Sequence, residues 1–110
     1  MTINEYQNLA ARTINKNLNL AEMERHALFG LCGEVGEIHS LYQKEYQGHE
    51  LSKEKLRNEI GDVCWMVAEL CTANGFDLEA VMKDNIAKLK QRYPEGFDPA
   101  KSLHRKEDDD

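Results

Sequence analysis

One acidic pattern is written twice in this chain, as Gly33-Glu34-Val35-Gly36-Glu37 and again as Asn58-Glu59-Ile60-Gly61-Asp62. Each copy lies inside a run of apolar residues at helical spacing. Residues three apart on a helix are neighbours on one face, so Glu34 and Glu37 sit side by side, as do Glu59 and Asp62. At about 100° per residue, each pair lies beside an apolar stripe. The stripe is Ala27, Leu28, Leu31, Val35, Ile38 and Tyr42 in the first case, and Leu56, Ile60, Val63, Val67, Leu70 and Cys71 in the second. Both pairs edge their stripes on the same side. Two such helices, folded back as an antiparallel hairpin with stripes together, bring the acidic edges to one rim of the core.

A single Glu-x-x-Glu is ordinarily a solvated pair of charges on an amphipathic helix. Here the repetition, with the same angular offset and the same glycine neighbours, points to a site. Four carboxylates gathered together suit a hard divalent cation, which prefers oxygen ligands. Gly33, Gly36 and Gly61 each cost a helix interior about 1 kcal/mol relative to Ala. Their presence implies either close backbone approach or room beside the acids.

The remaining punctuation predicts four helices. Thr2 with Glu5 reads as a capping box, opening a short helix that carries Tyr6, Leu9, Ala10 and Thr13 and breaks near Asn15-Lys16-Asn17. Asn19 with Glu22 opens a long helix that runs to about Gln47 and stops at Gly48-His49. Ser52 caps a third, which ends at Asn74-Gly75, and Asp77 caps a fourth, which runs to Tyr93 before Pro94. No segment alternates over strand length, so the expected fold class is all-α, a four-helix bundle in a single domain over residues 1–110. Residues 98–110 form a C-terminal arm, with the last four residues expected to be disordered.

Composition narrows the function. A net charge of −6 argues against a nucleic-acid polymer or a membrane surface as partner. No stretch reaches the ~18 apolar residues of a membrane span, and the first residues have neither a basic start nor an apolar run. Cys32, Cys64 and Cys71 are odd in number and fall within helical patterns, which predicts three reduced core thiols and a cytoplasmic location. His26, His39, His49 and His104 show no ligand spacing among themselves. Trp65 lies off the main stripe of its helix, as a subunit-interface residue or a platform for a base, the interface being preferred.

On the fourth helix, Asn85, Lys88 and Arg92 border a stripe of Leu78, Met82, Ile86, Leu89 and Tyr93. Lys as a point charge and Arg through its planar fork bind phosphate oxygens. Acids for a metal and bases for phosphate together imply a nucleotide-type substrate bound as its metal complex.

These segments carry a family resemblance. Glu34-x-x-Glu37, Glu59-x-x-Asp62 with Val-Cys-Trp-Met after it, and Asn85-x-x-Lys88-Leu-x-x-Arg92-Tyr93-Pro94-x-Gly96-Phe97 closely resemble the MazG-like nucleoside triphosphate pyrophosphohydrolases, over roughly residues 3–105. The resemblance implies an all-α NTP pyrophosphatase fold, assembled as a homodimer or homotetramer. It implies Mg²⁺, with Mn²⁺ able to substitute, and cleavage of a nucleoside triphosphate between the α and β phosphates to the monophosphate and pyrophosphate. It makes Glu34, Glu37, Glu59 and Asp62 the metal ligands and catalytic carboxylates, with Glu37 or Glu34 as proton acceptor. It turns Asn85, Lys88, Arg92 and Lys44 toward the nucleotide. A narrower enzyme of dUTP, dCTP or a phosphoribosyl nucleotide is the alternative within the same chemistry. A catalytically silent helical oligomerisation module is the alternative outside it. A di-iron carboxylate bundle would need Glu-x-x-His, which neither motif has.

Overall fold

The computed structural model describes residues 1–105, and over these the chain is helical, with no β-strand among the described residues. Five helices are described: α1 (Ile3–Ala11), α2 (Leu20–Tyr46), α3 (Lys53–Ala73), α4 (Leu78–Arg92) and α5 (Pro99–Leu103). Among the described residues no helix is long and apolar enough to cross a membrane. The expectation of four disordered residues at the end of the chain lies outside the described residues.

The helix ends follow from side-chain chemistry. The Thr2 hydroxyl accepts from the Glu5 amide at 3.0 Å, though the reciprocal half of that box is not made. At α2 the box is complete: the Asn19 side chain accepts from the Glu22 amide at 2.8 Å, and the Glu22 carboxylate accepts from the Asn19 amide at 3.0 Å. Ser52 caps α3 through the Lys55 amide at 3.2 Å. Both long helices end in the same way. Gly48, at φ 103°, lets the Gly48 and His49 amides turn back to the carbonyls of Glu45 and Lys44. Gly75, at φ 71°, does the same for the Gly75 and Phe76 amides on Thr72 and Cys71. Each is a paired-bond stop that needs a residue without a Cβ penalty in the left-handed region.

The chain divides into two compact units, the first Met1–Asp77 and the second from Leu78 onward. In the first unit α3 is the element against which both α1 and α2 pack. Its buried residues include Ala10, Ile14, Ala27, Ala68, Cys71 and Ala73. The Gln7 side chain, itself buried on α1, donates to the Phe76 carbonyl at 2.9 Å and to the Thr72 hydroxyl at 3.2 Å, which pins α1 to the end of α3. In the second unit the Tyr93 and Phe97 rings stack with centroids 5.5 Å apart across the bend at Gly96. Beyond the bend the arm is partly ordered as α5, capped by Asp98 through the Ala100 amide at 2.9 Å.

Two expectations need correction. The stripes are only partly covered: Leu28, Val35, Tyr42 and Ile60 are about half exposed, because the packed faces are narrower than the apolar arcs. Only Cys71 of the three thiols is buried, since Cys32 and Cys64 lie away from the packed face of their helices. Within the first unit the Trp65 indole N–H donates to the Thr13 hydroxyl at 2.8 Å, and its ring lies nearly perpendicular to that of His26 with centroids 6.2 Å apart. Thr13 in turn donates to the Ala10 carbonyl at 2.7 Å.

Candidate metal centre

The α2–α3 pair brings three of the four motif carboxylates together. Glu34, Glu59 and Asp62 each present one oxygen, and the three oxygens lie within 4.8 Å of one another. Glu37, one turn beyond Glu34, is exposed and lies outside this trio, although its charge is felt by Glu34. Helical spacing explains both facts. Residues 59 and 62 share a face of α3, whereas the second acid of the α2 pair is carried past the crossing point.

Like charges so close cannot all ionise freely. The Glu34 carboxyl is hydrogen-bonded to Glu59, partly desolvated, and repelled by Glu59, Asp62 and Glu37, which together push its pKa up to about 7. Glu59 Oε2 is buried and accepts no hydrogen bond. An all-oxygen donor set with excess negative charge and an orphaned buried oxygen fits a hard divalent cation. On that test Glu34, Glu59 and Asp62 fit as its holders.

The space around the acids is open. A Cβ added at Gly33, Gly36 or Gly61 would meet nothing within 4 Å, so of the two readings of these glycines the structure favours room beside the acids over close backbone approach. Close approach occurs instead at Gly30, where an added Cβ would fall 2.5 Å from the Met66 sulfur. Beside Glu59 and Asp62 a cavity of about 660 Å³ opens along the first turns of α3, lined also by Ser52, Lys55, Arg57, Asn58 and Gly61. It sets Lys55 and Arg57 beside two of the carboxylates, with Glu54 as a third acid in the lining.

Of the residues expected to face phosphate, Lys44 is exposed in the last turn of α2. Asn85, Lys88 and Arg92 belong to α4 in the second unit, with Asn85 exposed and Lys88 and Arg92 half-buried.

Sequence reasoning passed over a buried acid. Glu69 is 1% exposed, and both its oxygens lie within hydrogen-bond distance of His26 Nδ1, at 2.7 and 3.0 Å. A signal was present: Glu69 follows Asp62 by seven residues and so lies on the same edge of α3.

Comparison with known proteins agrees with this geometry. Residues 23–97 match the MazG nucleotide pyrophosphohydrolase domain, a span that contains all four motif acids and the α4 cations. The chain is also 32% identical over 76 residues to the Gene 37 protein of Mycobacterium phage L5, covering 64% of this chain and 67% of the relative. No solved structure matches it. Given two helices that converge three of their four motif acids and a domain match across them, the chain belongs to the MazG nucleotide pyrophosphohydrolase family.

Proposed function

We propose that this protein is a Mg²⁺-dependent nucleoside triphosphate pyrophosphohydrolase, cleaving between the α and β phosphates to release a nucleoside monophosphate and pyrophosphate. The observation that carries the reading is the convergence of Glu34, Glu59 and Asp62 from two helices around a buried, unsatisfied carboxylate oxygen. Glu34, Glu59 and Asp62 would hold a divalent cation, which when bound would offset the charge of the triphosphate that otherwise repels an attacking oxygen. Mn²⁺ meets the same oxygen-ligand requirement.

The chain's own groups have separable tasks. Glu34, whose pKa the neighbouring acids push up to about 7, would lose its proton more readily beside a bound cation. Glu37, outside the trio, is the carboxylate left to accept a proton from the attacking water. The water oxygen bonds to phosphorus, the α–β anhydride bond breaks, and pyrophosphate leaves with the bridging oxygen. Lys55 and Arg57, which share the cavity with Glu59 and Asp62, are cations able to bind polyphosphate oxygens there. Lys44 and, in the second unit, Asn85, Lys88 and Arg92 are further groups able to donate to phosphate oxygens.

Half-exposed Leu28, Val35, Tyr42 and Ile60 support assembly as a homodimer or homotetramer, in which a second copy covers apolar surface. A cytoplasmic site of action accords with three free thiols. Incubation with a panel of triphosphates and Mg²⁺ tests the reaction: pyrophosphate is the expected first product, and orthophosphate released first would contradict the assigned bond. The same panel separates a general enzyme from one confined to dUTP, dCTP or a phosphoribosyl nucleotide. No turnover of any of them would favour a silent oligomerisation module.

A further inference from the structure

Three contacts between α2 and α3 fall on one line. His26 meets Glu69, Gly30 lies against Met66, and Glu34 meets Asp62. Each step of four residues forward on α2 is matched by three or four back on α3, as an antiparallel crossing requires. His26 is eight residues, or about 12 Å of helix, from Glu34. Glu69 is seven residues, or about 10 Å, from Asp62 on the same edge.

The middle contact does little to set this register. Gly30 has no side chain, and Met66 offers the flexible end of an unbranched one, which tolerates sliding. The His26–Glu69 contact is directional. Both oxygens of a fully buried carboxylate converge on one ring nitrogen, and no other hydrogen-bond partner of Glu69 exists among the described residues. The imidazole also lies nearly perpendicular to the Trp65 ring, centroids 6.2 Å apart, and Trp65 is anchored to Thr13. A slip of one helical step between α2 and α3 would strand the Glu69 carboxylate in the core.

We propose that His26 and Glu69 are positioning residues for the metal centre: their bond locks the register of α2 against α3, so that Glu34 arrives opposite Glu59 and Asp62. This rests on the reading of those three carboxylates as metal ligands. Single buried polar pairs fix register in helical assemblies even where apolar replacements would be equally stable. Stability and register can therefore be separated.

The decisive variant is the full chain carrying His26→Leu together with Glu69→Leu, which leaves no buried charge and keeps the volume apolar. Its Mn²⁺ affinity, measured by electron paramagnetic resonance at a temperature where both proteins are fully helical, is expected to be about tenfold weaker than wild type. Its melting temperature is expected to match or exceed that of wild type. Turnover falls by up to about 100-fold, since ligand displacement of about 1 Å suffices for that. His26→Gln, which retains an N–H donor toward Glu69, moves Mn²⁺ affinity back toward wild type. If wild type binds Mn²⁺ and the double-leucine variant binds it equally well, the positioning role is overturned while the metal reading stands. If wild type binds no Mn²⁺, the metal reading falls and takes this one with it.

Discussion

The Glu34 carboxyl is hydrogen-bonded to the carboxyl of Glu59, from the neighbouring helix, and this contact leads the causes that lift Glu34 to a pKa of about 7. A carboxyl lifted that far keeps a sizeable protonated fraction near neutral pH, and a cation bound there would compete with that proton.

The first prediction concerns pH. The folded pKa of Glu34 lies above its ordinary value of 4.5, so between those values the native state binds a proton that the unfolded chain has released. Stability of the metal-free protein therefore falls as pH rises from about 4.5 toward 7. Calorimetric scans in chelator across that range should show the melting temperature decreasing. Saturating Mg²⁺ should reverse the trend, because cation binding to the native state strengthens as Glu34 loses its proton. Titration of Mg²⁺ into weakly buffered protein at pH 6 should release protons; uptake, or no change, would contradict the competition between cation and proton at Glu34.

Glu59→Gln removes one charge from the trio while preserving shape. Turnover should drop by about 100-fold or more, because a lost ligand outweighs a lost supporting contact. Without metal the same variant should melt higher than wild type, since the repulsion on Glu34 is reduced. Normal turnover in this variant would remove Glu59 from the site.

Glycine substitutions should act with opposite signs. Gly33→Ala and Gly61→Ala enter open space in helix interiors and should each add about 1 kcal/mol of stability. Both residues adjoin the acids, so a rise in KM alongside the gain would mean that substrate uses this room. Gly75→Ala, at φ 71°, should instead lose about 1 kcal/mol, because the left-handed region penalises a Cβ. Urea unfolding of the three variants measures each change directly.

His26→Ala leaves the Glu69 carboxylate in the core without its partner. Because the His26 side chain is 50% exposed, water can reach the vacated side, and the expected cost is that of one buried acceptor left without its partner, about 1–3 kcal/mol. Glu69→Gln, which removes the charge and keeps an oxygen to face the ring, should be less damaging than His26→Ala. The reverse order in thermal melts would mean that Glu69 is not held as a charged partner of His26.

Much of the fold was legible along the chain. Caps at Asn19 and Ser52, stops at Gly48 and Gly75, and the apolar periodicity between them depend on neighbours within a few residues, so the order and bounds of α2 and α3 could be read directly. The same locality set Glu59 beside Asp62, because three residues on a helix make one face. What could not be read is anything that depends on how one helix lies against another. Glu37 fell outside the trio because the crossing of α2 and α3 reaches only one acid of its pair. Val35 and Ile60 stayed half exposed because the packed strip is narrower than the apolar arc. Glu69 is paired with His26, forty-three residues away, a contact that no local spacing displays. Periodicity determines which side of a helix is sticky or acidic; the register at which two such sides meet is a property of side-chain fit across the interface, and only the tertiary structure decided it.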